Sequence, residues 1–154
     1  EAEVKDERLG FVGEITNVNV QPILDLIEKG YIPVVSTVGC DNEGNVYNIN
    51  ADTAASYIAG AMKAERLITM TDIPGILRDV NDPDSLIKRV NIEEARQLFA
   101  DGIVTGGMIP KVECCIEAVE RGVRRVTILD GRVPHAVLLE LLTDEGAGTM
   151  VKGE

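Results

Sequence analysis

Apolar runs alternate with amphipathic segments along this chain of 154 residues. The β-branched runs Tyr31–Val38, Leu67–Thr71 and Arg125–Leu129 have the composition of strands buried in a parallel sheet. Further strands are predicted at Leu9–Val18, Val46–Ile49 and Thr149–Val151, and helices at Gln21–Lys29, Asp52–Ala64, Ile92–Ala100, Pro134–Leu142 and directly after Gly107. The alternation predicts an α/β fold, a three-layer sandwich whose mainly parallel central sheet carries helices on both faces.

Polar residues follow the predicted strands at their carboxyl ends. In sheets of this kind ligands bind beyond those ends. Here the carboxyl ends of the strands carry Gly39–Cys40, Thr71–Asp72 and Asp130–Gly131. We therefore expect Asp72, Lys111 and the segment Asn48–Asp52 to lie within reach of one another at this edge.

The glycine pair Gly106–Gly107 runs directly into a predicted helix, with Pro110 in its first turn. At 100° per residue, Lys111 points away from the apolar stripe of that helix, which consists of Ile109, Val112, Ile116 and Val119. Glycine amides, a helix N-terminus and an ammonium group together suit an anion, and phosphate above all. The alternative is an ordinary solvated lysine beside a flexible turn.

The five residues Asn48–Asp52, with the sequence NINAD, form a second candidate site. Asn48 and Asn50 can donate and accept hydrogen bonds at the end of a short strand, and Asp52 opens a helix. Asparagine and aspartate are also preferred helix caps, each worth about 1 kcal/mol, so the segment has a purely structural alternative.

Composition and net charge limit the classes of function that this chain can have. The net charge of −11 argues against a nucleic-acid-binding surface, and no apolar run approaches the ~20 residues of a membrane-spanning helix. The charged start EAEVKDERLG lacks the apolar core of a signal peptide. Three cysteines, including adjacent Cys114 and Cys115, match neither a metal-ligand spacing nor an even-numbered disulfide framework. We expect no side-chain metal site, and a reducing compartment: the cytoplasm, or the plastid stroma if the source is a plant.

Five motifs in order carry a family resemblance. LGFVGEI, YNINAD, TDIPGIL, GGMIPKV and HAVLLELLTDEGAGTM begin at Leu9, Tyr47, Thr71, Gly106 and His135. Together they resemble the N-acetylglutamate kinases, a branch of the amino acid kinase family, over nearly the whole chain. The resemblance implies transfer of the ATP γ-phosphate to the side-chain carboxylate of N-acetyl-L-glutamate in arginine biosynthesis, with Mg²⁺ as the second cofactor.

The resemblance also implies residue roles. Lys111 is similar to the lysine that stabilises the transferring phosphoryl group, Asp52 to the aspartate that orients the catalytic lysines, and Asn48 to the asparagine that holds the acetylglutamate backbone. The segments that resemble the nucleotide pocket contribute Asp72, Ile73, Pro74, Gly75, Ile76, Leu77, Ile103, Val104 and Thr105.

The carboxyl-terminal motif resembles the arginine-inhibited branch of the family. His135, Glu140 and Gly146 are similar in pattern to positions that line its feedback site, and the full-length form is expected to be a homo-oligomer. The alternative is local: a histidine with nearby hydrogen bonds, a solvated glutamate and a glycine in a turn.

The amino-terminal lobe of the family has no counterpart in the sequence, including its glycine-rich phosphate loop, second lysine and substrate-binding arginine. We interpret residues 1–20 as a remnant of that lobe or a connection to it, and residues 21–154 as the nucleotide-binding lobe. The chain alone is therefore expected to be inactive. Alternatives are a non-catalytic module that senses nucleotide or arginine, and a related acyl-phosphate-forming kinase.

Overall fold

A four-stranded sheet forms the centre of the fold. The computed structural model describes residues 1–153. Its strands are β1 (Ala2–Val4), β2 (Gly13–Ile15), β3 (Val38–Cys40), β4 (Val46–Asn48), β5 (Arg66–Thr71), β6 (Arg89–Asn91), β7 (Arg125–Asp130) and β8 (Thr149–Lys152). Its helices are α1 (Gln21–Glu28), α2 (Ala51–Ala61), α3 (Ile92–Ala100), α4 (Met108–Glu120) and α5 (Ala136–Leu142), with 3-10 turns at Glu7–Leu9 and Pro83–Ser85.

The strand order of the central sheet is β5-β7-β8-β6. The outer pairs, β5 with β7 and β6 with β8, are parallel, and the middle pair, β7 with β8, is antiparallel. Parallel register places Thr71 opposite Asp130, so both strands end at the same edge. The sheet is mainly parallel, as predicted. Two antiparallel ribbons, β1 with β2 and β3 with β4, lie outside it.

Helices cover both faces of β7. Successive side chains of a strand point to opposite faces. Val126 and Ile128 belong to one apolar cluster with Val112 and Ile116 of α4, whereas Thr127, which lies between them, donates a hydrogen bond to Glu140 of α5. The helices α4 and α5 therefore pack on opposite faces, which confirms the predicted three-layer arrangement.

Local signals determined the helix bounds well. The helix α3 has the predicted range and a capping box, in which the Asn91 side chain accepts from the Glu94 amide and the Glu94 carboxylate accepts from the Asn91 amide. The predicted helix over Pro134–Leu142 begins two residues later, because His135 adopts a left-handed conformation with φ of 61°. Within residues 1–153, every helix is too short or too polar to cross a bilayer.

The prediction of a buried strand over Tyr31–Val38 was wrong. Only its last residue is in a strand, β3, which pairs antiparallel with β4 and not with the central sheet. The side chains of Ile32 and Val34 are 91% and 93% exposed. An apolar run indicates that a segment prefers burial, but burial also requires a neighbouring element to cover it.

The prediction over Leu9–Val18 was too long, since β2 covers only Gly13–Ile15 and pairs with β1, which sequence patterns did not indicate. Strands β1 and β6 were missed because three residues are too few to show an alternating pattern. Strand β1 contacts the β3–β4 ribbon around a small apolar cluster. That cluster consists of Ala2, Tyr47, Ile49 and Ala54.

Candidate functional site

The glycine turn before α4 leaves backbone amides available. Gly106 has φ of +54°, a left-handed conformation that favours glycine, and no side chain caps the helix. Among the described residues, no hydrogen bond uses the amides of Gly106 or Gly107 as donors. A Cβ atom added at either glycine would meet nothing within 4 Å. The turn thus offers free N–H groups beside open space, where an anion could bind.

Lys111 lies in the first turns of α4 and forms an ion pair with Asp52. The distance between Lys111 Nζ and Asp52 Oδ2 is 3.2 Å, and each side chain is 29% exposed. Asp52 lies in the first turn of α2, where Asn50 caps the helix by accepting from the Thr53 amide. The helices α2 and α4 are in contact, and the Lys111–Asp52 hydrogen bond places their amino-terminal ends side by side. A partly buried cation and carboxylate are therefore held together at one helix end.

The residues of the two predicted sites occupy different environments in the structure. Lys111 points away from the buried Val112 and Ile116, as the helical pattern predicted, although Ile109 is exposed and not part of the core. Of the NINAD segment, Asn50 is a helix cap and Asp52 binds Lys111. The Asn48 side chain is exposed, while its amide donates to the Phe11 carbonyl over 2.8 Å.

A cleft of about 540 Å³ begins at the same end of α4. Two loops form it, one after β5 and one between α3 and α4. It is lined by Ile73, Gly75, Ile76, Leu77, Arg78, Asp79, Val80, Gly102, Ile103, Val104, Thr105 and Met108. Because Met108 is the first residue of α4, the cleft lies within one helical turn of the backbone of Lys111.

Seven of the nine residues that resemble the nucleotide pocket line this cleft, whereas Asp72 and Pro74 do not. Asp72 instead accepts a hydrogen bond from the Thr71 hydroxyl. Gly75 is needed for packing: it has φ of +138°, and a Cβ there would lie 2.5 Å from Thr149 Oγ1. Five further lining residues are not indicated as such by the motifs, namely Arg78, Asp79, Val80, Gly102 and Met108.

The carboxyl edge of the sheet carries a cation that the motifs did not single out. Arg132 donates two side-chain hydrogen bonds to Asp130, over 2.9 and 2.8 Å, and lowers the pKa of that carboxyl group. The neighbouring Gly131 amide donates to the Thr71 carbonyl over 2.7 Å, which ties the ends of β7 and β5 together. The Arg132 side chain itself is mostly exposed.

A second, polar cavity of about 230 Å³ contains part of the predicted arginine site. Glu140 and Gly146 line it, but His135 does not. Glu140 is buried, and its carboxylate accepts from the Thr127 hydroxyl at 3.0 Å and from the Ala147 amide at 2.9 Å. The alternative of a solvated Glu140 is therefore wrong. The cations along this cavity are Arg66, Lys88, Arg89 and Arg125.

Comparison with known sequences identifies proteins that are similar to this chain. Residues 2–130 match the profile of the amino acid kinase family. The acetylglutamate kinase of Thermosynechococcus vestitus is 57% identical over 148 residues, which are 96% of this chain and 50% of that protein. The acetylglutamate kinase of a Nostoc species is 56% identical, again over 96% of this chain and 50% of its own length. The chain thus spans about half the length of the curated relatives it matches.

Several solved structures have folds similar to that of this chain. The protein smu.665 of Streptococcus mutans has a TM-score of 0.80 and 30% identity, with 99% of this chain and 56% of that chain covered. The N-acetylglutamate synthase of Neisseria gonorrhoeae, complexed with coenzyme A and L-arginine, has a TM-score of 0.85 and 27% identity over 95% of this chain and 33% of its own. Carbamate kinase from Giardia lamblia, bound to AMP-PNP, shares the fold at 19% identity and a TM-score of 0.67, with 93% of this chain and 47% of its own covered.

Proposed function

This chain belongs to the amino acid kinase family, and we propose that it is the nucleotide-binding half of an acetylglutamate kinase. The intact enzyme would transfer the γ-phosphate of ATP to the side-chain carboxylate of N-acetyl-L-glutamate, a step of arginine biosynthesis. Relatives of that name are 55–57% identical to this chain. The observation that carries the proposal is the Lys111–Asp52 pair beside a glycine turn and a cleft.

The cleft at the start of α4 suits the nucleoside part of ATP. Its volume of about 540 Å³ lies in the range of small-molecule sites, and apolar side chains and backbone make up much of its lining. Thr105 and Met108 connect it to the glycine turn. A nucleotide bound there would direct its phosphates toward the free amides of Gly106 and Gly107.

Lys111 is the residue that we assign to the transferring phosphoryl group. Its ammonium has three donors, and the contact with Asp52 uses one of them. The other two are available to phosphate oxygens. Phosphoryl transfer depends on positioning and on positive charge at the developing oxyanions. A cation that a carboxylate holds in place can supply that charge. Asp52 acts as a positioning residue in this scheme.

ATP is expected to bring Mg²⁺ with it. Over residues 1–153, no three His, Cys, Asp or Glu side chains are grouped so as to hold a metal ion. Mg²⁺ is commonly held by phosphate oxygens, waters and one or two carboxylates, so a bound nucleotide would itself supply part of its ligands. When bound, the ion neutralises charge on the phosphates.

We assign the binding of the acceptor substrate to the carboxyl end of strand β4. Asn48 is the last residue of β4, and its side chain is exposed. It lies four residues before Asp52 in the chain. An amide group can both donate to and accept from the polar backbone of N-acetyl-L-glutamate. Assays with a panel of acceptors, including aspartate, carbamate and glutamate, separate this proposal from a related acyl-phosphate-forming kinase.

The test uses the intact parent enzyme, because this chain spans about half of its relatives and is expected to be inactive alone. Lys111→Met should lower kcat by about 10²-fold or more, with the KM for ATP changed only a few-fold. Lys63→Met, just beyond the opposite end of α2, is the matched control and should leave kcat unchanged. Normal turnover by the Lys111 variant would overturn the assignment.

Arginine binding at the polar cavity is a second proposal, supported by the buried Glu140 and its cationic surroundings. A carboxylate can accept from a guanidinium, and the surrounding cations could hold an α-carboxylate. Calorimetry of the intact protein with arginine tests it, and absence of both heat and inhibition would contradict it. From the resemblance we also propose a homo-oligomer located in the cytoplasm, or in the plastid stroma of a plant.

A further inference from the structure

Thr149, the first residue of β8, is a polar side chain that has no exposed surface. Its hydroxyl oxygen accepts a hydrogen bond from the Ile76 amide over 2.8 Å, and the hydroxyl donates to the Ile87 carbonyl over 2.7 Å. These partners lie 73 and 62 residues away along the chain. One buried hydroxyl group therefore joins the start of β8 to two distant segments.

The first of these segments is the loop after β5 that forms one side of the cleft. Within that loop, Ile76 is buried in the main apolar cluster. Its amide donates to Thr149, and its carbonyl accepts from the Ile87 amide over 2.9 Å. The next residue, Leu77, forms an isolated bridge with Leu86. Both backbone polar groups of Ile76 are thus fixed, and the loop is attached to the core at this point.

The backbone of the loop passes directly against the Thr149 hydroxyl. A Cβ atom added at Gly75 would lie 2.5 Å from Thr149 Oγ1 and 3.0 Å from the Thr149 amide nitrogen. Without the hydroxyl, the Ile76 amide and the Ile87 carbonyl would lose their partner in a region that excludes water. A buried polar group left unpaired is costly, and the loop could relieve that cost only by moving toward solvent.

We infer that Thr149 is a positioning residue for nucleotide binding, because its hydroxyl holds residues 75–77 in the shape of the cleft wall. This inference rests on the proposed function, in which the cleft receives ATP. Thr149 does not itself line the cleft, so it acts through Ile76. Because Lys111 and Asp52 belong to other elements, loss of the hydroxyl should weaken ATP binding and leave the transfer step nearly unchanged.

The first experiment measures ATP binding by calorimetry and steady-state kinetics in the intact parent enzyme. Thr149→Val keeps the shape of the side chain and loses both hydrogen bonds. It should raise the Kd and the KM for ATP about tenfold and change kcat by less than about threefold. Thr149→Ser keeps the hydroxyl, and all three constants should stay within about threefold of those of the parent.

Thr69→Val is the matched control. The half-buried Thr69 hydroxyl also donates to a backbone carbonyl, that of Thr127, and neither residue lines the cleft. This variant also loses a threonine hydrogen bond, yet it should bind ATP and turn over like the parent. The comparison separates a general loss of stability from an effect on the cleft.

Amide hydrogen exchange of this chain alone tests the same contact without ATP. In Thr149→Val, the Ile76 amide should exchange at least about tenfold faster relative to the Ile128 amide of β7, and in Thr69→Val that ratio should be unchanged. If Thr149→Val does not fold, Thr149→Cys replaces it in both experiments. A thiol is a weaker hydrogen-bonding group than a hydroxyl, so its effects should be about threefold.

Parental ATP affinity in a folded Thr149→Val, an equal loss of affinity in Thr149→Ser, or an unaltered exchange ratio would each overturn the inference. A fall in kcat with an unchanged KM for ATP would do the same, because the effect would then lie on the transfer step. All of these outcomes leave the proposed function standing. Absence of ATP binding by the parent enzyme itself would instead overturn the proposed function, and the role of Thr149 with it.

Discussion

The Lys111 ammonium and the Asp52 carboxylate lie 3.2 Å apart, although 59 residues separate them in the chain. Each belongs to the beginning of a helix. The positive end of a helix dipole favours the aspartate and disfavours the lysine, by about 0.3–1 kcal/mol each. The ion pair offsets the cost of the lysine, which leaves a cation fixed beside the free amides of the glycine turn. Such an arrangement is suited to holding a phosphate.

If Asp52 acts through Lys111, their substitutions will not combine independently. In the intact enzyme, Lys111→Met should lower kcat by about 10²-fold and Asp52→Asn by about tenfold, and the double variant should resemble Lys111→Met alone. Steady-state kinetics over the four proteins measures this coupling. The exposed Asp84 offers a control, since Asp84→Asn should retain the parent kcat. Losses that simply multiply would show that the two side chains act separately.

Glu140 should stabilise the fold whether or not arginine binds. Replacing it by alanine leaves the buried Thr127 hydroxyl and the Ala147 amide without their acceptor. We expect the free energy of unfolding to fall by about 1–3 kcal/mol, as measured by urea denaturation of this chain. Glu145→Ala, at an exposed position nearby, should change it by less than about 0.5 kcal/mol. Equal stability of the Glu140 variant and the parent would contradict this structural role.

The three cysteines should differ in reactivity. Burial raises the pKa of the Cys115 thiol to about 12 and also raises the pKa of Cys114, whereas Cys40 is exposed. Only the thiolate reacts rapidly. With a disulfide reagent at pH 8, peptide mass spectrometry should find Cys40 modified first and Cys115 only after unfolding. Cys40→Ser should remove the fast phase, and rapid labelling of Cys115 in the folded protein would contradict the burial.

Acid should weaken the hairpin that joins β3 and β4. Hydrogen bonds from Asn45 and from the Tyr47 hydroxyl lower the pKa of Asp41 to about 2. Because this pKa is depressed in the folded state, the stabilisation is present above pH ~4 and is lost as the pH falls toward 2. The difference in unfolding free energy between the parent and Asp41→Ala should therefore be full at pH 6 and shrink below pH 4. A difference that stays constant from pH 6 to pH 2 would contradict the assignment.

Much of the candidate site was predictable from local patterns. The glycine pair and the apolar stripe of the following helix indicated where Lys111 points, and strand ends followed by polar residues indicated the edge of the sheet. Arg132 was missed because its significance depends on Asp130 and on the junction between two strand ends. His135 was expected to line one site with Glu140 and Gly146, yet it does not line the polar cavity, and Glu140 accepts from Thr127 of β7.

The sequence alone determined features that depend on neighbours within a few residues: the capped ends of α3, the glycine turn before α4 and the β-branched character of β5 and β7. Only the tertiary structure decided that β8 runs antiparallel to β7, that Glu140 is buried and that Lys111 meets Asp52. The physical reason is the range of the interactions. Caps, turns and periodicity arise within one or two helical turns, whereas burial and ion pairing depend on distant segments that local patterns do not specify.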